Sequence, residues 1–249
     1  MLALPLIYWL MDRQRGWVLA LVFLLSMQLN ATIKELTEVP RPFQADARIE
    51  SIGPKPSTYA FPSGHAQGSA LIWGSLAAMY PSPVSIGVCG SIIFLVGLTR
   101  LYLGVHSPLD VSVGWGFGGI GVALMFVLFK LSQTNPETLR AWRVRLFWVI
   151  AGGGMIVVHQ SKYTVLAGAT LTAVATLEYY ERKWIGFDDC KQISRRIGRL
   201  AAGFIPAGLL VAYYKHLVPD SLWMIGIFFY LLGGWMVFGA PYLFKRLRI

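Results

Sequence analysis

The chain is dominated by apolar stretches too long to be anything but helices in lipid. Along residues 16–34, 63–80, 84–102, 107–130, 143–160, 163–181, 199–216 and 221–244, most side chains are apolar or small and charges are sparse. A helix needs about 20 mostly apolar residues to cross a bilayer core roughly 30 Å thick. Strands of a membrane barrel would alternate apolar and polar residues over about ten positions, which these runs do not. In hydrocarbon every backbone donor and acceptor must be satisfied within the segment, so such runs fold as helices. The expected class is all-α: a polytopic transmembrane helical bundle of about eight spans, forming a single membrane domain over 1–249. The opening Leu2–Met11 is apolar but too short to span. It is a partial or interfacial helix, or the remnant of a longer one, and it lacks the basic flank and small-residue cleavage site of a signal peptide.

Charge supplies the topology. Only 14% of residues are charged, against about 25% in soluble domains. The formal net charge of +10 invites a nucleic-acid reading, but most basic residues sit at the ends of apolar runs rather than in a patch. Arg13 and Arg15, Lys130 with Arg140, Arg143 and Arg145, Arg182 through Arg199, and Lys245, Arg246 and Arg248 belong to one set of connections, holding 15 of the 22 Lys and Arg. The other set holds Lys34, Arg41, Arg48, Lys55, Arg100, Lys162 and Lys215. The asymmetry puts the first set in the cytoplasm, and eight spans return the chain to the side it started on. Cys89 lies in an apolar run and Cys190 in a basic loop, so neither a disulfide nor a thiol metal site is expected. No His, Cys and carboxylate grouping has metal-ligand spacing.

Three short blocks fall on the face that is poor in basic residues. The first, Lys34 to Pro42, opens the long outside connection of about 35–62, whose five prolines suit a lid or a site component. The second is Phe61-Pro62-Ser63-Gly64-His65, ahead of an apolar helix. The third runs from Thr99-Arg100 to His106-Ser-Pro-Leu-Asp110. Lys34, Arg41 and Arg100 supply three cations suited to a phosphate dianion, with arginine offering a planar fork for paired oxygens. Any one of them alone is what an interfacial helix end ordinarily carries. Ser63 can cap the following helix, and Gly64 lets backbone N–H groups approach an anion at the helix N-terminus. Gln67 and Ser69 continue polar residues into the span, which suits a helix lining a cavity. His106 and Asp110, four apart, can form a histidine oriented by a carboxylate. Ser107-Pro-Leu-Asp110 also reads as a plain helix cap, and the two roles can coexist. His159 and His216, at span ends, read as interfacial. Glu178 and Glu181 are expected to pair with Arg182 or Lys183, and Asp188-Asp189 to balance local charge.

Together the blocks resemble the type 2 phosphatidic acid phosphatase superfamily, which includes lipid phosphate phosphatases, glucose-6-phosphatase and vanadium haloperoxidases. The family pattern Lys-x6-Arg-Pro, Pro-Ser-Gly-His and Ser-Arg-x5-His-x3-Asp is met at its own spacings, with Thr99 in place of Ser. The resemblance covers residues 34–110, within a catalytic core of about 16–131. The helices of 143–244 lie beyond it and resemble the sphingosine-1-phosphate phosphatase branch. It implies a metal-independent phosphatase without cofactors, acting on a phospholipid, sphingoid or polyprenyl phosphate. His106 would attack phosphorus, Asp110 would orient it, and His65 would protonate the leaving group. Lys34, Arg41, Ser63, Gly64 and Arg100 would bind the phosphoryl oxygens. Transfer between lipids, hydrolysis of a sugar phosphate, and a transporter or scaffold role are the alternatives. The expected setting is a bacterial inner membrane with the site facing the periplasm, or an endoplasmic reticulum with a lumenal site, as a monomer or homodimer.

Overall fold

The structure is a computed structural model that describes residues 3–135, 142–158, 161–190, 192–217 and 221–249. Arg140, His159 and Lys191 lie outside these, as do the side chains of Lys215 and His216. The described residues form helices and no strand: α1 (Ala3–Leu6, continued as a π turn to Met11), α2 (Arg13–Thr37), α3 (Pro42–Ala45), α4 (Gly64–Met79), α5 (Pro83–Tyr102), α6 (Pro108–Thr134), α7 (Trp142–Val158), α8 (Lys162–Tyr180), α9 (Ile193–Leu217), α10 (Leu222–Gly234) and α11 (Ala240–Leu247). Every expected span has a helix. Five segments are long and apolar enough to cross a membrane: Arg13–Ala45, Pro83–Tyr102, Pro108–Thr134, Ile193–Tyr214 and Leu222–Leu247. Among the described residues the count of eight is therefore not confirmed. The 16 residues of α4 fall short of the roughly 20 needed for a perpendicular crossing. The chain is an integral membrane protein.

The chain divides into two compact units, 26–127 and the remainder. In the larger, the opening segment is a partial helix that packs inward: Ile7, Tyr8 and Trp9 are all buried. Trp9 meets Phe204 and Phe244 edge-on and donates its indole N–H to Met236 O at 2.8 Å. Helices α7 and α8 cross closely because both contribute glycine there; a Cβ on Gly168 would lie 2.5 Å from Gly152 O. Glu178 pairs with Arg182 as expected. Glu181 instead pairs with Arg13 and accepts Phe187 N–H. Adjacent helical side chains do not face each other, so a fully buried Glu181 takes its partner from another segment. Asp189 likewise accepts Arg13 N–H, at 3.1 Å. Cys89 and Cys190 are both free and buried.

The unit Ser26–Val127 is organised by glycines on α6. A Cβ on Gly114 would sit 2.7 Å from Ser63 O, one on Gly118 2.5 Å from Ala70 Cβ, and one on Gly121 2.9 Å from a Leu71 methyl. Positions i, i+4 and i+7 share one helix face, so α6 presents a bare strip onto which α4 seats. Without lipid-excluded burial to drive association, close backbone approach and dispersion hold such pairs together. Gly97 of α5 makes similar room for the Trp115 ring.

Candidate active site

All eight residues singled out from the sequence lie in the unit Ser26–Val127. His106 occupies the turn between α5 and α6. Gly104 makes that turn at φ +67, where a side chain would also strike Glu50 O at 2.6 Å. Ile52 N–H donates to Leu103 O at 3.2 Å, so the proline-rich loop packs onto the histidine turn.

Capping and orienting fall to one carboxylate. Ser107 N–H donates to Asp110 Oδ2 at 2.7 Å, and Asp110 N–H returns to Ser107 Oγ at 3.2 Å. The same Oδ2 lies 3.6 Å from His106 Nδ1, and both side chains are 4% exposed. That separation is longer than a hydrogen bond.

Arg41 sits at the other ring nitrogen. Its Nη1 is 3.3 Å from His106 Nε2. A guanidinium only donates, so this contact requires a lone pair on Nε2 and places the ring proton on Nδ1, toward Asp110. This tautomer leaves Nε2 as the nucleophilic or basic atom. Burial holds the His106 imidazolium below its usual range; Asp110 partly offsets this, while Lys34 and Arg41 push further down. The ring is therefore neutral at pH 7.

The two buried cations are already engaged. Arg41 donates through Nε to Thr58 O at 2.7 Å, through Nη1 to Val105 O at 2.9 Å, and through Nη2 to Thr58 Oγ1 at 3.0 Å and Tyr59 O at 3.3 Å. Lys34 Nζ donates to Tyr59 O at 2.7 Å and Ala60 O at 2.8 Å. The 58–60 stretch of the long loop is thus a site component.

Ser63 caps α4: its Oγ accepts Ala66 N–H at 3.5 Å, and its own N–H donates to Asp110 O at 2.9 Å. Gln67 does not line a cavity. It is 1% exposed and closed into a network in which Asn30 Nδ2 donates to Gln67 Oε1 at 2.7 Å and to Pro62 O at 3.2 Å. Gln67 Nε2 donates to Ser26 Oγ at 2.7 Å and Ser26 O at 2.9 Å. Ser69 bonds back to Ala66 O. Buried amides need such partners, because an unsatisfied one costs about 1–3 kcal/mol. Gly64 faces Asn30 Oδ1, which would be 3.1 Å from a Cβ there.

His65 is exposed at the start of α4, within electrostatic reach of Arg100, Arg41 and Lys34. Arg100, half-buried at the end of α5, folds onto Thr99 Oγ1 at 3.2 and 3.3 Å. The structure thus gathers a buried set, Lys34, Arg41, Ser63, His106 and Asp110, with His65 and Arg100 accessible. Two contributors were missed in the sequence. Asn30 was legible as an amide inside an apolar run. The α6 glycines were legible as Gly-x3-Gly. Among the described residues no three His, Cys, Asp or Glu are grouped as metal ligands.

Comparison with known proteins follows the same lines. A family model described as "PAP2 superfamily" matches residues 15–136, and one described as "PAP2 superfamily phosphatase, transmembrane extension" matches 164–249. Undecaprenyl-diphosphatase of Sulfolobus acidocaldarius is 32% identical over 125 residues, covering 50% of this chain and 58% of that protein. Phosphatidylglycerophosphatase B of Bacillus subtilis is 34% identical over 138 residues, covering 51% and 61%. Sphingosine-1-phosphate phosphatase 2 of Mus musculus is 29% identical over 135 residues, covering 51% and 38%. The match spans about half the length of these curated relatives. No solved structure matches. The two family matches together account for most of the chain, which belongs to the PAP2 superfamily.

Proposed function

We propose that this protein is a phosphatase that hydrolyses a lipid phosphate or diphosphate through a phosphohistidine. The observation that carries the reading is the buried His106 held between Asp110 at Nδ1 and Arg41 at Nε2. His106 Nε2 attacks the terminal phosphorus, a P–N bond forms, and the P–O bond to the lipid alkoxide, or in a diphosphate to the lipid monophosphate, breaks. His65 gives its proton to the departing oxygen. It then takes one from water, which attacks phosphorus and breaks the P–N bond, releasing inorganic phosphate. Lys34, Arg41, Arg100, Ser63 and the Gly64 N–H bind the phosphoryl oxygens, whose charge is spread onto fixed donors as the transition state forms. Asp110 tightens onto Nδ1–H as the ring becomes cationic, a contraction common between resting and reacting sites.

The substrate class rests on the relatives' names, which specify an undecaprenyl diphosphate, a phosphatidylglycerophosphate and a sphingosine 1-phosphate. Loop charge favours a site on the outer face, a bacterial periplasm or an endoplasmic reticulum lumen. The test is phosphate release by the purified chain in detergent against these three lipids, with chelator present. His106→Ala should abolish release at an unchanged unfolding temperature, and an alkaline denaturing quench of the wild type should trap a base-stable, acid-labile phosphoenzyme. Full activity in the variant would refute the mechanism. Chelator-sensitive turnover would refute its independence from metal, and label recovered on an acceptor lipid would select phosphoryl transfer instead.

A further inference from the structure

A charged cavity lies in the unit that does not contain the candidate active site. It measures about 350 Å³, in the size range of small-molecule sites, and is formed by residues 186–190, Gln192, the first turns of α9 and the end of α11. Its lining includes four cations, Arg195, Arg199, Lys245 and Arg248, and two carboxylates, Asp188 and Asp189. The balance is positive. The roles of the cations differ. Arg199 is 5% exposed and structural: it donates to Trp9 O at 2.9 Å, Asp188 O at 2.8 Å and Ile249 O at 3.2 Å, between the Phe187 and Phe244 rings. Lys245 donates to Ile185 O. The Arg195 and Arg248 side chains are exposed and neither hydrogen-bonds to a described residue, although the Arg248 backbone N–H donates to Lys245 O at 3.3 Å. The cavity thus has a fixed cationic floor and two uncommitted guanidinium groups at its mouth.

What surrounds the cavity indicates its ligand. Ile193 and Ile197, on the helix that contributes Arg195 and Arg199 to the lining, are 73% and 61% exposed, and Trp184, two residues before Gly186, is 62% exposed. Tyr180 and Trp184 pack together beside Phe238, an aromatic group of the kind that sits at a membrane interface. Helix α11 carries Lys245 and Arg246 in its last turn with Phe244 buried and Tyr242 exposed, the pattern of an interfacial helix. A soluble anion would use only the guanidinium groups. An amphiphile would use both the cations and the apolar rim. The loops concerned carry the chain's basic excess, on the side facing the anionic cytoplasmic leaflet.

We propose that this cavity binds the phosphate of an anionic phospholipid from the cytoplasmic leaflet, with its acyl chains along the exposed Trp184 and Ile193 side. The proposal stands independently of the phosphatase reading. Native mass spectrometry of the full chain in detergent, titrated with dioleoylphosphatidylglycerol or dioleoylphosphatidylcholine, tests it. One phosphatidylglycerol should be retained in preference to phosphatidylcholine. Arg195→Gln with Arg248→Gln should weaken retention on the order of 30-fold, from about 1 kcal/mol per basic residue at such a surface. Arg246→Gln, on α11 but outside the cavity, should retain it. The charge-keeping pair Arg195→Lys with Arg248→Lys should hold more lipid than the glutamine pair, which separates charge loss from misfolding. Undiminished binding by the glutamine pair, or equal loss in Arg246→Gln, would overturn the site. Displacement by millimolar inorganic phosphate, with no preference for phosphatidylglycerol over phosphatidylcholine, would identify a free anion and overturn the lipid assignment.

Discussion

Replacing Gly114 with alanine tests the seating of α4 on α6, and with it the construction of the site. The added Cβ would lie 2.7 Å from Ser63 O, 3.1 Å from Ala66 Cβ and 3.3 Å from Gln67 N. Ordinary contact begins near 3.4 Å, so the start of α4 must retreat by about 0.7 Å. Backbone atoms on both sides leave no flexible side chain to absorb that. The Ser63 N–H bond to Asp110 O, now 2.9 Å, would stretch past hydrogen-bond range. Overpacking of this kind costs about 1–3 kcal/mol, and the lost bond about 1 more. The chemistry should suffer more than the fold, because a misplacement near 1 Å costs roughly 100-fold in rate. We expect kcat to fall at least about tenfold, with the unfolding temperature in detergent lowered. Gly116 is the control: nothing lies within 4 Å of its Cβ. Gly116→Ala should leave kcat unchanged and stabilise α6 slightly, since alanine is preferred over glycine in a helix interior by about 0.5–1 kcal/mol. Equal, near-wild-type behaviour of both variants would refute the seating of α4 on α6.

Three further outcomes follow from the geometry. Because burial and two cations hold the His106 imidazolium below its ordinary range, kcat/KM should rise with pH along an acid limb centred below about 6.5; Asp110→Asn, removing a carboxylate that raises it, should move that limb to lower pH, and an opposite shift in the profile would contradict the assignment. Asn30→Ala removes the donor to Pro62 O and Gln67 Oε1, leaving a buried amide acceptor unpaired at a cost of about 1–3 kcal/mol; thermal unfolding should register it, and kcat should fall with KM little changed. Glu181→Gln leaves Arg13 facing a neutral group in a buried setting, so the unfolding temperature should drop by the equivalent of about 3–5 kcal/mol while phosphate release from the surviving folded protein persists.

The sequence carried the family and the helix positions better than the number of crossings. Helix positions followed from apolar runs, and the spacings that nominated His106, Asp110, Arg41, Lys34 and Ser63 are met by residues that share one unit. Local pattern could do this because each block builds its own turn or cap: Ser63 and Ser107 are near-neighbour effects, readable without a fold. The number of crossings was not readable that way. Apolar runs do not distinguish a helix that spans from a shorter one such as α4, whose 16 residues end at Met79. Long-range polar pairing was equally hidden. Nothing in the chain between Arg13 and Glu181 announces their ion pair, and proximity in sequence pointed to the wrong partner. Gln67 was read as lining water because a polar residue in a span usually does; Asn30, 37 positions away, satisfies it instead.

On the proposed function, the carbonyls of Thr58, Tyr59 and Ala60 that hold Arg41 and Lys34 would set the terms on which an anion enters and leaves. In the resting protein they act as a built-in counter-ligand, so two sequestered cations never stand uncompensated. An incoming phosphate must outbid peptide dipoles, and its net affinity is a difference between two solvations rather than the full attraction of two positive charges. The same exchange runs in reverse after turnover. Under that reading the loop carbonyls would take back the donors as orthophosphate departs, which favours a site that empties readily over one poisoned by its own product.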